Sequence, residues 1–213
     1  ASVLDTVGAK GVAQPPSSVK APALTANGKP EVLYVGAEYC PFCAAERWPM
    51  TVALSRFGTF QGLGLTSSES NDVYPNTATL SFHGATYTSK YVSFVGREIE
   101  DRAGKPLDKL TAAEKTVFST YDSAPYTQSA GAIPFVDVGG KYLIHGASYD
   151  PQVLHGKTHA QIAEALHDPT SAIGKNVDAV ANVITAAICQ TTGGQPAKVC
   201  TSAGVASAAA TLK

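Results

Sequence analysis

Charge is scarce in this chain of 213 residues: Lys, Arg, Asp and Glu make up 15% of it, and the formal net charge is −1. There is no basic block, which argues against nucleic acid or an anionic membrane as the main partner. No run of 18 or more apolar residues occurs, so the sequence predicts no bilayer span within the chain. Membrane association is expected only through an anchor upstream of it. The histidines (His83, His145, His155, His159, His167) show no H-x-x-x-H helix pattern with a Glu between, and they read as surface or cap residues. Cysteine is sparse, at four, and Cys189 and Cys200 lack the spacing of a metal knuckle, which argues against a zinc site built from the cysteines, alone or with histidines.

Hydrophobic residues make up 44% of the chain, enough for a substantial core that does not depend on disulfide staples. The length suits one large domain or a domain with a sizeable insertion. The cysteines form two local pairs, Cys40/Cys43 and Cys189/Cys200, and an even, locally paired count predicts an oxidising compartment. The start at Ala-Ser-Val rather than Met is consistent with a removed signal or anchor. The expected location is therefore extracytoplasmic: secreted, cell-surface or membrane-tethered.

In chain order, residues 1–30 read as an arm or linker, with a short amphipathic pattern (Val3, Leu4, Val7) and a Pro/Ser/Ala/Gly-rich stretch from residue 13. The compact domain is expected over residues 31–200. Val32–Ala37 reads as a buried central strand. A helical stripe follows from Pro41 to about Phe57, with Pro49 expected to kink it. Phe60–Leu65 reads as a second strand, Ser67–Asn76 as a polar loop, and Ala78–Glu100 as two or three strands. Thr111 and Glu114 have capping-box spacing ahead of a helix. Ile133–Val138 is a strand entered through a proline, and Gly139-Gly140 turns it into Lys141–Ile144. Helices are expected over His159–Leu166 and Ser171–Gln190. The Ala-rich tail 201–213 reads as a frayed helix or as disordered.

Chemistry concentrates at Tyr39-Cys40-Pro41-Phe42-Cys43. With Pro41 in the first turn of the helix, Cys40 falls at its N-cap and Cys43 one turn in, on the same face. Unpaired N–H groups and the positive end of the helix dipole then favour a Cys40 thiolate. Cys40 is the expected nucleophile and Cys43 the resolving thiol of a mixed disulfide. A lone C-x-x-C also serves as a zinc clamp or a plain staple, so the motif by itself leaves these readings open. Glu38 and Glu46, the nearest carboxylates in sequence, read as solvated surface charge.

The order of strand, C-x-x-C helix, strand, proline-entered hairpin and helix resembles the thioredoxin fold. The resemblance implies an α/β thioredoxin-like domain with a long insertion, about residues 66–129, between its βαβ and ββα halves, and a C-terminal helical extension. It implies that Pro134 is a cis-proline facing the Cys pair. Ile133 would then offer its backbone to an extended substrate, with Pro41, Phe42 and Tyr39 completing the substrate-binding surface. Residues 27–49, 72–95, 133–138 and the stretches around Cys189 and Cys200 are together similar to an uncharacterised family of thioredoxin-like proteins, often membrane-anchored at the N-terminus. Against ordinary thioredoxins, Tyr39 replaces a Trp, Tyr34 a buried Asp, and Pro41-Phe42 the Gly-Pro dipeptide. These departures leave the redox direction open.

Cys189 and Cys200 read as a structural disulfide, with a second redox pair as the alternative. Tyr74, Phe82, Tyr87, Tyr91 and Phe94 read as core rather than as a peptide groove, and Trp48 as packing below the motif. The expectation is a thiol–disulfide oxidoreductase acting on cysteine-containing proteins and served by a redox recycling partner, with no metal and no cofactor beyond its own Cys40–Cys43 disulfide. The alternative is a binding or chaperone module of the same fold with a merely structural disulfide.

Overall fold

A computed structural model describes residues 2–212 as a mixed α/β protein. Its centre is strand β3 (Lys29–Gly36), in which Val32, Leu33, Tyr34 and Val35 are fully buried. β3 is apolar without alternation because both its faces are covered. Val32 and Tyr34 face helices α2 (Pro41–Ser55) and α5 (Ala172–Thr191), whereas Leu33 and Val35 pack with Phe135, Leu143 and residues of α3 (Ala112–Tyr121).

Strand β8 (Ser93–Glu98) runs parallel to β3, with Tyr34 opposite Gly96. β9 (Phe135–Val138) pairs antiparallel on the other side, Tyr34 opposite Val136, and β10 (Tyr142–His145) pairs antiparallel with β9. The two-residue strands β1 (Ser17–Ser18) and β2 (Thr25–Ala26) add to β10 and to the start of β3. The N-terminal arm is thus no loose linker. Val19 and Ala21 donate to the Lys141 and Gly140 carbonyls at 2.9 and 3.3 Å. Gly140 permits this approach, because a Cβ there would lie 2.2 Å from the Pro22 carbonyl oxygen. Helix α1 (Val3–Val7) is pinned by Asn182 of α5, whose amide donates to the Leu4 and Gly8 carbonyls.

The expected second strand over Phe60–Leu65 is two strands. Gly62, at φ 74°, breaks the run into β4 (Gly58–Gln61) and β5 (Gly64–Ser67). They pair with β7 (Thr86–Ser89) and β6 (Ala78–Ser81) in two small ribbons outside the main sheet. The β3 partner is β8, which lies inside the stretch 66–129 expected to be inserted. A β-favouring run declares itself a strand but does not name its neighbour.

Helix α2 continues through Pro49, which has no N–H for the Ala45 carbonyl four residues back. The Tyr149 hydroxyl donates to that carbonyl instead, at 2.9 Å. α3 opens with the reciprocal Thr111–Glu114 capping box. α4 (His159–Ala165) leads to α5, which by length and mean hydropathy alone could cross a bilayer, although Lys175, Asn176 and Asp178 interrupt its apolar run and 83% of that window is buried inside the protein. α6 (Ala197–Cys200) and α7 (Ala203–Ala209) follow. The tail is ordered here: Val205 and Ala208 of α7 are buried against the core.

Candidate functional site

β3 ends at Gly36 and α2 begins at Pro41, so the turn between them sets Cys40 at the helix N-cap in extended conformation. The Cys43 backbone N–H donates to the Cys40 sulfur at 3.3 Å. Cys40 is 5% exposed and Cys43 fully buried, both as free thiols. The Cys43 thiol donating to the Cys40 sulfur lowers the Cys40 pKa most; burial opposes it, and the Cys43 N–H, the Arg47 charge and the Phe42 N–H lower it further. Burial, above all, pushes Cys43 well up, with its hydrogen bond to Cys40 adding to the rise. The two thiols are therefore unequal, with Cys40 the readier thiolate.

Facing them is the loop that enters β9. The Ile133–Pro134 peptide is cis, and the Cys40 sulfur lies 3.7 Å from the Ile133 carbonyl oxygen. The Pro134 carbonyl in turn accepts from the Gly146 N–H at 2.8 Å. Tyr39, half-buried, accepts at its carbonyl from the Glu69 N–H at 2.9 Å. Cys40, Cys43, Tyr39, Pro41, Phe42, Ile133 and Pro134 thus assemble at one end of the sheet. Cys189 and Cys200 do not join them. They form a disulfide, Cα–Cα 5.6 Å, where α5 ends near the β9–β10 turn, beside the start of β3. That bond also removes a zinc site built from all four cysteines.

Beneath Cys43 lies a buried ion pair. Arg47 donates from Nε and Nη2 to the two Glu98 carboxylate oxygens at 2.8 and 2.6 Å, and Nη2 also reaches the Ala37 carbonyl at 2.6 Å. The Cys40 N–H shares that carbonyl at 3.3 Å. Both charged side chains are wholly buried, and Arg47 Nη1 and the Tyr34 hydroxyl have no hydrogen-bond partner among the described residues. Tyr34 sits under the guanidinium, 6.0 Å from its ring centroid.

Glu38 and Glu46 are not solvated surface charge. Glu46 is fully buried and accepts from the Ser148 N–H at 2.9 Å and the Ser148 hydroxyl at 3.1 Å; burial raises its pKa to about 7. Glu38, half-buried, accepts from the Ser81 hydroxyl at 2.6 Å. Phe82, Tyr87 and Phe94 form an aromatic cluster with Phe60, as expected of core. Tyr74 departs from that expectation: its ring meets Phe42 edge-on at 5.9 Å and its hydroxyl donates to Asp150 at 3.0 Å.

Tyr74, Asp150, Phe42, Ala132, His145 and Tyr149 line a groove of about 490 Å³ along the Cys motif, with Ala13 and Gln14 of the arm on its border. Sequence reasoning missed this groove, because its walls come from distant parts of the chain. Among the described residues, no group of three or more His, Cys, Asp and Glu side chains is placed to share a metal ion. In comparisons with known proteins, a family model described as a domain of unknown function (DUF929) matches residues 16–190. No curated protein and no solved structure matches the chain.

Proposed function

The chain belongs to the DUF929 family, and from that premise we propose that it is a thiol–disulfide oxidoreductase of thioredoxin-like fold, acting on cysteine-containing proteins outside the cytoplasm. The fold reading rests on strand order: β8 parallel to β3, β9 antiparallel to β3, and β10 antiparallel to β9. That order is similar to that of a thioredoxin core, which supports the reading; the two ribbons between α2 and β8 would then be the added part. The Cys189–Cys200 disulfide supports an oxidising compartment.

One observation carries the function. Cys40 caps a helix, receives the Cys43 N–H on its sulfur, and faces the Ile133–Pro134 peptide. In the reducing direction, the Cys40 thiolate attacks one sulfur of a substrate disulfide, and the other sulfur leaves as a thiolate that takes up a proton. Cys43 then loses its proton and attacks the Cys40 sulfur of the mixed disulfide. The second substrate thiolate is expelled and the Cys40–Cys43 bond closes. The substrate gains two electrons and the pair loses two. A dithiol partner restores the reduced pair; with a disulfide partner, the sequence runs in reverse and oxidises the substrate.

Stopped-flow exchange with a reduced or scrambled model protein tests the reading. Cys40→Ser should abolish exchange, and Cys43→Ser should trap the mixed disulfide. Exchange that survives Cys40→Ser overturns the assignment. The near-complete burial of both sulfurs favours a second reading, a binding module with a structural dithiol. It requires a Cys40 pKa close to the ordinary ~8.5, which thiolate absorbance against pH measures directly.

A further inference from the structure

Four large apolar side chains stand out as exposed: Phe42, Leu65, Val73 and Tyr126. Leu65 is on the β5–β6 ribbon, but the other three belong to segments that border the groove along the motif. Phe42 lies between the cysteines, Val73 precedes the Tyr74 that packs on Phe42, and Tyr126 borders a cavity that shares Thr127 and His145 with the groove. Apolar exposure concentrated at one place marks a contact surface.

The charge around it is mostly negative. The Tyr39 backbone is held by the Glu69 N–H, and the Glu38 N–H donates to the Glu100 carbonyl. Glu100 and Asp72 both act on the Tyr39 phenol, whose pKa is raised by burial first, then by Glu100, the two thiols and Asp72. Asp150 lines the groove itself. Three carboxylates (Asp72, Glu100, Asp150) thus stand beside the motif, and the backbones of Glu38 and Glu69 run along the same flank. Arg102 also stands on this flank, its guanidinium donating to the Ser68 carbonyl and the Asn76 side chain.

We infer that the site selects an extended polypeptide whose cysteine is flanked by cationic and apolar side chains, and discriminates against anionic thiols and disulfides such as glutathione. This rests on the dithiol reading above. Apolar groups of the client cover Phe42, Val73 and Tyr126, while its Lys or Arg side chains meet the acidic rim. Charge complementarity of this kind acts mainly on encounter rates, by tenfold or more at low salt, and fades as salt screens it.

The test compares short peptides of one length, each carrying a Cys-Phe pair flanked by Lys or by Glu, and each joined through its cysteine to the same chromogenic thiol. Attack by the Cys40 thiolate on the peptide sulfur breaks that disulfide, releases the chromogenic thiolate, and leaves a mixed disulfide that Cys43 resolves. At about 0.01 M salt, where screening is weak, the Lys peptide should react about tenfold faster than the Glu peptide. At about 1 M the ratio should fall toward unity, and oxidised glutathione should rank with the Glu peptide. Asp72→Asn combined with Asp150→Asn should narrow the low-salt ratio. Equal rates for both peptides at low salt overturn the charge selection and leave the oxidoreductase intact. If neither peptide reacts in a Cys40-dependent way, both readings fall.

Discussion

Glu46 makes the stability of this protein dependent on pH in a direction that can be worked out beforehand. Its carboxyl is fully buried on α2 and held by Ser148, and burial raises its pKa to about 7. In the unfolded chain the value is ~4.3. The folded protein therefore holds this proton more tightly. The stabilisation is fully present below about pH 4 and is lost as pH rises through about 7. The loss approaches 1.4 kcal/mol per pH unit within that window and totals on the order of 3 kcal/mol. Glu46→Gln keeps an acceptor for the Ser148 N–H and a donor for its hydroxyl, but does not titrate. The variant should match the parent near pH 4 and gain steadily, reaching an advantage of on the order of 3 kcal/mol by pH 8. In thermal melts this is a Tm increase of roughly 6–12 °C. Melts of both proteins at half-unit steps from pH 4 to 8 read it out. A difference that stays flat across the range would show that Glu46 is ionised in the fold and would refute the reasoning.

Asp178 should behave with the same sign. It is buried on α5, one carboxylate oxygen has no partner among the described residues, and burial lifts its pKa to about 7. Asp178→Asn should therefore raise the melting temperature at pH 8 and leave it unchanged near pH 3.5, and equal shifts at both pH values would contradict this. For the ion pair under the dithiol, Arg47→Met strands the Glu98 carboxylate in the core and should cost about 3–5 kcal/mol in urea unfolding. The Arg47→Met/Glu98→Leu double variant should recover most of that loss, and a double variant as unstable as the single one would argue against a buried charge penalty.

What could be read from the sequence was mostly local. Cys40 at a helix N-cap, Pro41 in the first turn and the Thr111–Glu114 capping box each depend on residues within a few positions of one another. The proline-entered hairpin was equally visible. The character of Glu46 was not, because Ser148, which shares its burial, lies 102 residues away. Glu98, the partner of Arg47, is 51 residues away. Strand pairing escapes the sequence for the same reason. Phe60–Leu65 has the composition of a strand, but its place in a ribbon is decided by Thr86–Ser89 and Ala78–Ser81, which pair with it while β8 pairs with β3. Residue type alone groups Tyr74 with the core aromatics, whereas its position in the loop before β6 delivers it to the groove.

The strapped arm ties two properties together that are usually separate. By pairing Ser17 and Ser18 with β10 it sheathes a sheet edge that would otherwise template intermolecular strand addition. A few residues earlier, Ala13 and Gln14 border the groove beside the dithiol, where the Gln14 N–H donates to the Ser148 carbonyl at 3.4 Å. Peeling the arm away would therefore unsheathe a self-association edge and widen the groove beside the dithiol in one motion. On the oxidoreductase reading, one strap of chain would then govern both resistance to self-association and access to the dithiol.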